Sequence, residues 1–336
     1  MLAYIPYPAW LKPEIIPGLP IRWYGLMYLL AFATTYLMVK LQVKQRRLDV
    51  PGDDVLNLFF WTIIGLLVGA RIFSVLIYDP GGYYLRHPLQ VLLPVSFSGG
   101  RLRFTGLQGM SYHGGLLGAV LAAVLYLRKK RLDVLDWGDM IVTGASLGYT
   151  FGRLGNFING ELYGRITRVG WGMLFPLAER FPAREAWVRE FSADIGLEIA
   201  GMEAVNLPRH PSQLYEAFFE GLVLWLFLWF VLRRRRSFKG QLLASYVIGY
   251  GLVRFFIEYV RQPDVELGFP IQLVALENPQ LQFSFFNFTT GQILNVLMIA
   301  SGILCLLLFR RLERRRQEAP AARSTPSPRK LRKKIR

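Results

Sequence analysis

The sequence predicts an all-α polytopic membrane protein with seven transmembrane helices, and three observations support this class. Hydrophobic residues make up 53% of the 336 positions and charged residues only 19%, whereas soluble domains carry roughly 25% charge. Apolar windows of about membrane-spanning length recur along the chain. Lys and Arg, 40 in all, are concentrated in short blocks beside those windows. A disulfide scaffold is excluded, because Cys305 is the single cysteine.

Seven apolar windows define the predicted helices in chain order: 21–39, 56–77, 112–127, 138–158, 212–232, 241–260 and 291–309. The third is short for a bilayer core of about 30 Å, which needs about 20 residues. Two connecting segments, 78–110 and 160–211, are long enough to fold. We expect the second to form a small head domain with a helix near 183–200. Residues 1–313 therefore constitute the membrane domain, and the Arg-, Lys-, Pro- and Ser-rich residues 314–336 are predicted to be a disordered cytoplasmic tail.

The distribution of Lys and Arg predicts the orientation of the chain. The segments 40–53, 128–131, 233–239 and 310–336 hold 25 of the 40 basic residues, and the segments on the opposite side hold 11. By the positive-inside rule the first group is cytoplasmic. The N-terminus and both folded segments are then outside, and the C-terminus is inside. These blocks also account for the net charge of +17 without nucleic-acid binding, because no recognition motif accompanies them.

Ionisable residues inside the windows share one depth. Arg71, Arg153 and Arg254 each lie about six residues, or roughly 9 Å, from the predicted outer end of their helix. Charged side chains at such depths usually face the interior of a helix bundle. A transporter more often places its site near the midplane. Because guanidinium groups bind phosphate oxygens in pairs, this layer suits a phospholipid headgroup from the outer leaflet.

Each of these residues also has a purely structural interpretation. Arg254 and Glu258 are spaced i, i+4 and can neutralise each other. Glu216 and Glu220 lie in the outer turns of the fifth window, where they can cap a helix or pair with the arginines. His113 is the histidine best placed for a functional role, because imidazole titrates near neutral pH.

The most specific motif covers residues 152–164, with the sequence Gly-Arg-Leu-Gly-Asn-Phe-Ile-Asn-Gly-Glu-Leu-Tyr-Gly. It leaves the fourth window and enters the segment 160–211. Its four glycines allow sharp turns and a close approach of backbone N–H groups to an anion. Arg153, Asn156, Asn159 and Glu161 add a cation, two amides and a carboxylate within nine residues. An ordinary helix end does not need all of these groups.

This motif resembles the signature of the prolipoprotein diacylglyceryl transferase family. Further stretches that resemble family motifs are 22–28, 69–71, 112–115, 209–216, 249–264 and 291–294. The resemblance thus extends over residues 22–294 with its motifs in order. Two departures are Arg22, where some relatives have His, and the loop 265–288, which is longer than usual.

The resemblance implies transfer of the diacylglyceryl group of phosphatidylglycerol to the lipobox cysteine of a preprolipoprotein, which forms a thioether and releases glycerol phosphate. It implies a bacterial inner membrane location with the active site facing the periplasm. His113, Arg153 and Arg254 are the expected catalytic residues. The expected substrate-binding residues are Tyr24, Arg153, Asn156, Glu161, Gly164, Tyr250, Glu258 and Arg261.

The sequence leaves two alternatives open, one for the residue that acts as the base and one for the class of function. His113 is the first choice for the base that takes the thiol proton, and Glu161 or Glu258 is the rival. No cofactor or metal is expected, because the three histidines are far apart in the sequence. A lipid or anion transporter is the alternative function. It predicts an internal duplication, and the sequence contains no strong repeat.

Overall fold

The computed structural model describes residues 4–16, 18, 22–78, 82, 84, 95–98, 101–104, 110–262, 269–276, 278, 281–282 and 284–318. The chain divides into two compact units. One contains the described residues of 1–31 and 146–336, and the other those of 32–145. Part of the segment 78–110, the end of the motif 249–264 and residues 319–336 of the predicted tail lie outside the described residues.

A helix lies at each of the seven predicted windows. The helices are α1 (Trp23–Gln45), α2 (Gly52–Tyr78), α3 (Tyr112–Lys129), α4 (Val134–Ile158), α6 (Ser212–Arg235), α7 (Gln241–Ile257) and α8 (Thr290–Glu318), with a short α5 (Ala186–Asp194) inside the predicted range 183–200. Among the described residues, α1, α2, α6 and α8 are long and apolar enough to cross a membrane. The predicted helical class is therefore confirmed.

Short β-ladders accompany the helices, so the class is mostly α and not purely α as predicted. The strands are β1 (Ile5–Pro6), β2 (Val95–Ser98), β3 (Arg101–Phe104), β4 (Met173–Leu174), β5 (Arg180–Pro182), β6 (Ala204–Asn206), β7 (Ile271–Gln272) and β8 (Asn287–Phe288). β1 pairs in parallel with β4, whereas β2–β3, β5–β6 and β7–β8 are antiparallel. These ladders supply hydrogen-bond partners for the backbone of the connecting segments.

The unit of residues 32–145 depends on close packing between α2 and α3. A Cβ atom at Gly69 would lie 2.8 Å from the Cα atom of Gly118, and one at Gly65 would meet Ala122 Cβ and the Gly118 carbonyl oxygen. Small residues at this spacing let helix backbones approach within contact distance. The glycine faces of these two helices therefore pack against each other.

The segment 160–211 has a hydrophobic core of its own in the other unit. The core residues are Ile166, Phe181, Val188, Phe191, Ile195, Val205 and Leu207, all buried. Helix α5 contributes Val188 and Phe191 to this core, and the β5–β6 ladder contributes Phe181 and Val205. The apolar residues of a segment otherwise rich in charge are thereby removed from water.

Helices α6, α7 and α8 carry different sets of charged residues at their two ends. At one end Gly240 lies against the Phe309 ring, so the basic runs 233–239 and 310–316 are close together. At the other end a Cβ atom at Gly291 would lie 2.7 Å from Glu258 Oε1. The 17 residues of α7 separate these ends by about 25 Å. Helix α8 continues to Glu318, so the first five residues of the predicted tail are helical.

Candidate active site

Three helices of the unit containing residues 146–336 each contribute one row of polar side chains. The rows are Tyr149, Arg153 and Asn156 on α4, Glu216 and Glu220 on α6, and Tyr250 and Arg254 on α7 together with Glu258, which caps the C-terminal end of that helix. Within each row the members are three or four residues apart, which places them on one face of a helix. The rows meet in a cluster of buried or half-buried charges.

Glu216 is the centre of this cluster. Its side chain is fully buried, with 0% exposed. Oε2 lies 3.0 Å from Arg153 Nε and 3.0 Å from Arg254 Nη1, and Oε1 lies 3.7 Å from Arg261 Nη1. None of these contacts is an aligned hydrogen bond. A buried carboxylate requires compensating positive charge, and here three arginines share that role.

The three arginines differ in how their nitrogens are used. Arg254 contacts three carboxylates: Nη1 lies near Glu216 and, at 3.8 Å, Glu220, while Nη2 lies 3.3 Å from Glu258. The contacts of Arg153 and those of Arg261 both use Nε and Nη1. No hydrogen bond and no closest ion-pair contact of either residue uses Nη2 within the described part of the chain. Both terminal nitrogens of Arg254 are therefore used in contacts with protein carboxylates, whereas Arg153 and Arg261 each keep N–H donors that can bind a ligand.

Glu258 lies where α7 ends and α8 begins. Thr289 Oγ1 donates to its Oε1 at 3.4 Å, and its Oε2 lies 3.8 Å from Arg261 Nε. The positive end of the α8 dipole also favours a carboxylate at this position. Gly291 has to be glycine or make space, because a side chain there would displace the carboxylate.

The loop of residues 159–164 closes over the end of α4. Glu161 Oε1 accepts from Asn156 Nδ2 at 2.9 Å and from Asn159 Nδ2 at 3.3 Å, and the Glu161 carbonyl accepts from Gln213 Nε2 at 2.5 Å. Gly160 has a φ of 67°, which glycine adopts without strain. The amides and the carboxylate of the signature motif thus bind one another and shape this loop.

Gly164 places the same loop against the residues that follow α7. It forms a β-bridge with Arg261, and its N–H donates to the His210 carbonyl at 2.8 Å. Arg165 Nε donates to the Arg261 carbonyl at 3.0 Å. Burial lowers the pKa of Arg165 to about 10. Arg261 is held by its backbone from two sides, which leaves its side chain directed by Glu216 and Glu258.

The predicted tyrosines border this cluster. The hydroxyl of Tyr250 lies 3.4 Å from that of Tyr149. Tyr24, at the start of α1, shares a hydrogen bond of 3.0 Å with Tyr28. A Cβ atom at Gly155 would lie 3.4 Å from the Tyr24 ring, so the small residue lets that ring approach α4. All eight predicted substrate-binding residues belong to this unit.

His113 belongs to the other compact unit. It is exposed and follows Ser111, which caps α3 by accepting from Gly114 N at 3.4 Å. Arg71 is buried in that same unit, with its guanidinium carbon 5.3 Å from the centre of the Tyr84 ring. The charge cluster described above therefore contains Arg153, Arg254, Glu258 and Arg261 of the predicted set.

Sequence reasoning missed Tyr149 and underrated two glutamates. Tyr149 lies four residues before Arg153 and its hydroxyl accepts from Arg153 Nε at 2.7 Å. That spacing was the available signal. The sequence predicts that Glu216 and Glu220 either cap a helix or pair with the arginines, and the structure confirms the pairing for both. The central position of Glu216 is a finding of the structure.

The fold and the site define a helical membrane protein with a buried cluster of arginines and carboxylates at one end of its helices. Residues 13–308 match the prolipoprotein diacylglyceryl transferase family. The chain belongs to this family.

Full-length relatives support the assignment. A protein of Treponema denticola is 48% identical over 95% of this chain and 98% of its own length. One of Treponema pallidum is 47% identical over 89% of this chain and 93% of its own length. A third, of Chlorobaculum tepidum, is 42% identical over 88% and 89%. All three are named phosphatidylglycerol–prolipoprotein diacylglyceryl transferase.

Proposed function

We propose that the chain transfers the diacylglyceryl group of phosphatidylglycerol to the lipobox cysteine thiol of preprolipoproteins. The observation that carries this proposal is the convergence of Arg153, Arg254 and Arg261 on one buried site in a chain of this family. The thiol sulfur attacks the carbon of the diacylglyceryl group that is bonded to a phosphate oxygen. That C–O bond breaks with its electrons passing to the phosphate, the thiol proton goes to a base, and a thioether and glycerol phosphate result.

Arg153 and Arg261 are the phosphate-binding arginines in this proposal. Their side chains are 16% and 19% exposed, so they can reach a ligand, and their closest contacts to the described part of the protein use Nε and Nη1 rather than Nη2. Negative charge grows on the phosphate as the C–O bond breaks. Donors already aimed at such charge typically contribute a factor of about 10²–10³ to the rate.

Arg254 contributes in a different way. It is 14% exposed and contacts Glu216, Glu220 and Glu258, so it holds the carboxylates that direct the other two arginines. Its positive charge also stabilises the departing phosphate from within the cluster. Loss of Arg254 removes both effects at once.

His113 is the proposed base for the thiol proton. Its rivals are engaged elsewhere, since Glu258 pairs with Arg254 and Glu161 accepts from two asparagine amides. A His113→Ala variant is expected to lose transfer activity, because the thiol proton then has no acceptor at this position. A rate that matches wild type across pH 6–8 would exclude this role. In that case Glu161→Gln and Glu258→Gln identify the base by the same measurement.

The proposed membrane arrangement has seven spans, an outer N-terminus and a cytoplasmic C-terminus. The basic runs 233–239 and 310–316 gather at the end of α6–α8 that is opposite to the arginine cluster. With the positive-inside rule, this supports a site at the periplasmic side of the inner membrane, with the segment 160–211 as a periplasmic head. Lipid from the outer leaflet and a translocated peptide could both reach it.

A labelling experiment tests this orientation. In a Cys305→Ser background, the exposed positions Arg184→Cys and Lys129→Cys are treated with a membrane-impermeant maleimide in intact spheroplasts. We expect Arg184→Cys to be labelled directly and Lys129→Cys only after permeabilisation. The opposite pattern would reverse the proposed topology.

The activity itself is tested with the purified full chain in phosphatidylglycerol vesicles and a lipobox peptide. Release of glycerol phosphate is followed, with a Cys→Ser peptide and phosphatidylethanolamine vesicles as the two controls. Release that requires both phosphatidylglycerol and the cysteine supports the transferase. No release from folded protein overturns it, and flux of labelled lipid in the same vesicles then tests the transporter alternative.

A further inference from the structure

Tyr149 and Glu220 lie directly behind Arg153 and form a hydrogen-bonded chain with it. Arg153 Nε is 2.7 Å from the Tyr149 hydroxyl oxygen, and that hydroxyl is hydrogen-bonded to Glu220 Oε2. A guanidinium group can only donate, and a phenol has one proton together with lone pairs. Arg153 therefore donates to Tyr149, and Tyr149 donates to Glu220. The direction of the chain follows from the chemistry of the three groups.

Glu220 is a buried anchor for this series of hydrogen bonds. Its side chain is fully buried, and its backbone is in a π-helical turn, Ala217–Val223. The adjoining Gly221 lets α6 approach α4 so closely that a Cβ atom there would lie 3.0 Å from the Thr150 backbone nitrogen. Ser146 Oγ donates to the Gly221 carbonyl at 3.2 Å. These contacts fix the relation between the two helices beside Tyr149.

The second oxygen of Glu220 connects these hydrogen bonds to the rest of the site. Oε1 lies 3.8 Å from Arg254 Nη1. One buried carboxylate thus serves both arginines, Arg254 directly and Arg153 through Tyr149. The negative charge of Glu220 also makes its acceptor interaction with the Tyr149 hydroxyl stronger than that of a neutral acceptor.

The hydrogen bonds from Arg153 through Tyr149 to Glu220 determine which edge of the Arg153 guanidinium faces the site. Tyr149 and Glu216 both occupy the Nε side, and the Tyr149 ring lies under the group, with its centre 4.9 Å from the guanidinium carbon. Nη1 makes a long contact of 3.4 Å with Asn156. The outer edge of the fork, which includes Nη2, is consequently left to a ligand.

We propose that Tyr149 and Glu220 are positioning residues that orient Arg153 so that its outer edge binds the phosphate of the lipid substrate. The proposal rests on the proposed function, in which Arg153 is a phosphate-binding residue. Neither Tyr149 nor Glu220 has to touch the substrate. Their contribution is the preorganisation of a donor group, because small displacements of such a group typically cost about 10²-fold in rate.

The test is the Tyr149→Phe variant, which keeps the ring and removes the hydroxyl. We expect kcat/KM for phosphatidylglycerol to fall about 10–100-fold, with an increase in KM for the lipid and an unchanged KM for the peptide. A purely structural defect would reduce the folded fraction, which lowers kcat and leaves both KM values as they were. The selective rise in lipid KM is therefore the decisive result.

Tyr126→Phe is the matched control. It also removes a tyrosine hydroxyl that donates to a helix carboxylate, Asp54 Oδ1 at 3.2 Å, but no arginine of the site is involved. Its kinetics are expected to stay within about twofold of wild type, as for a substitution away from the chemistry. A second variant, Glu220→Gln, keeps the size and an acceptor but loses the charge. We expect a smaller increase in lipid KM, up to about tenfold.

The outcomes separate this proposal from the proposed function. If wild type releases glycerol phosphate while Tyr149→Phe retains wild-type kcat/KM, or loses only kcat, the positioning role is overturned. If Tyr149→Phe does not fold, an unchanged lipid KM in Glu220→Gln overturns it. If wild type itself releases no glycerol phosphate from phosphatidylglycerol, the proposed function fails first.

Discussion

The guanidinium groups of Arg153 and Arg254, from helices α4 and α7, each place a nitrogen 3.0 Å from the same oxygen, Oε2 of Glu216. Two arginines that are 101 residues apart are thereby tied through one carboxylate on a third helix. Because Glu216 is fully buried, water does not screen these interactions appreciably. Glu216 thus assembles the cationic part of the site.

Removal of Glu216 should damage both stability and activity. Glu216→Ala leaves three neighbouring guanidinium groups without their shared carboxylate, and breaking a buried ion pair typically costs about 3–5 kcal/mol. We expect a lower thermal unfolding temperature in detergent and transfer reduced to background. Glu190→Ala, at an exposed position of α5, is the control and should change stability by less than about 0.5 kcal/mol. Equal stability of the two variants would contradict the central role of Glu216.

Loss of either arginine should abolish transfer while the protein still inserts into the membrane. Arg153→Ala removes a phosphate donor, and Arg254→Ala removes the cation that holds three carboxylates. We expect at least a 10²–10³-fold loss for each, roughly the cost of one missing transition-state donor. Arg168→Ala provides the control, because its ion pair with Asp194 is about half exposed and worth little. Normal glycerol phosphate release by both site variants would exclude a phosphate clamp.

Gly164 should not tolerate a side chain. A Cβ atom there would collide with the Val260 carbonyl oxygen and lie 2.8 Å from His210 Cβ, so the bridge to Arg261 has to open. We expect Gly164→Ala to lower transfer by at least tenfold and to reduce the unfolding temperature. Gly170→Ala, with no atom within 4 Å of the new Cβ, is the control and should resemble wild type. Similar activity in both alanine variants would show that the bridge does not position Arg261.

Acid should destabilise the protein in part through His210. Burial, with a smaller contribution from Arg165, lowers the pKa of His210 to about 4 from the usual 6.5. Below pH 6.5 the unfolded chain binds a proton that the native imidazole does not take up until about pH 4, so stability falls across this window as pH decreases. His210→Gln removes this contribution. Thermal unfolding at pH 7.5 and pH 5 should show a smaller acid shift in the variant, and equal shifts would contradict the assignment.

Much of the fold could be predicted because the residues of each apolar window are enough to indicate a helix there. A run of apolar residues with few charges indicates a helix wherever it packs, and all seven windows coincide with helices. The end of α8 was less predictable. Its basic residues mark where an apolar run stops, but Arg and Lys are good helix formers, and the helix continues to Glu318. The short ladders, such as β1 with β4, join segments that are 168 residues apart and have no local signal.

The candidate site was predictable to the extent that it follows from spacing along one helix. Tyr250, Arg254 and Glu258 share a face of α7 by periodicity alone, and Arg153 with Asn156 does so on α4. The identification of Glu216 as the shared partner required knowledge of which faces of α4, α6 and α7 meet. Tyr149 gained its significance only from Glu220 on another helix.

The amino-acid sequence by itself determined the helical class, the family motifs and the residues that carry charge in apolar surroundings. The tertiary structure decided which of those charges neutralise one another. Backbone spacing sets the face of a single helix, whereas the rotation and approach of neighbouring helices depend on close contacts such as Gly221 with Thr150 and Gly251 with Asn295. Those contacts leave Glu216 between Arg153 and Arg254, because buried charges are stable only where opposite charges meet.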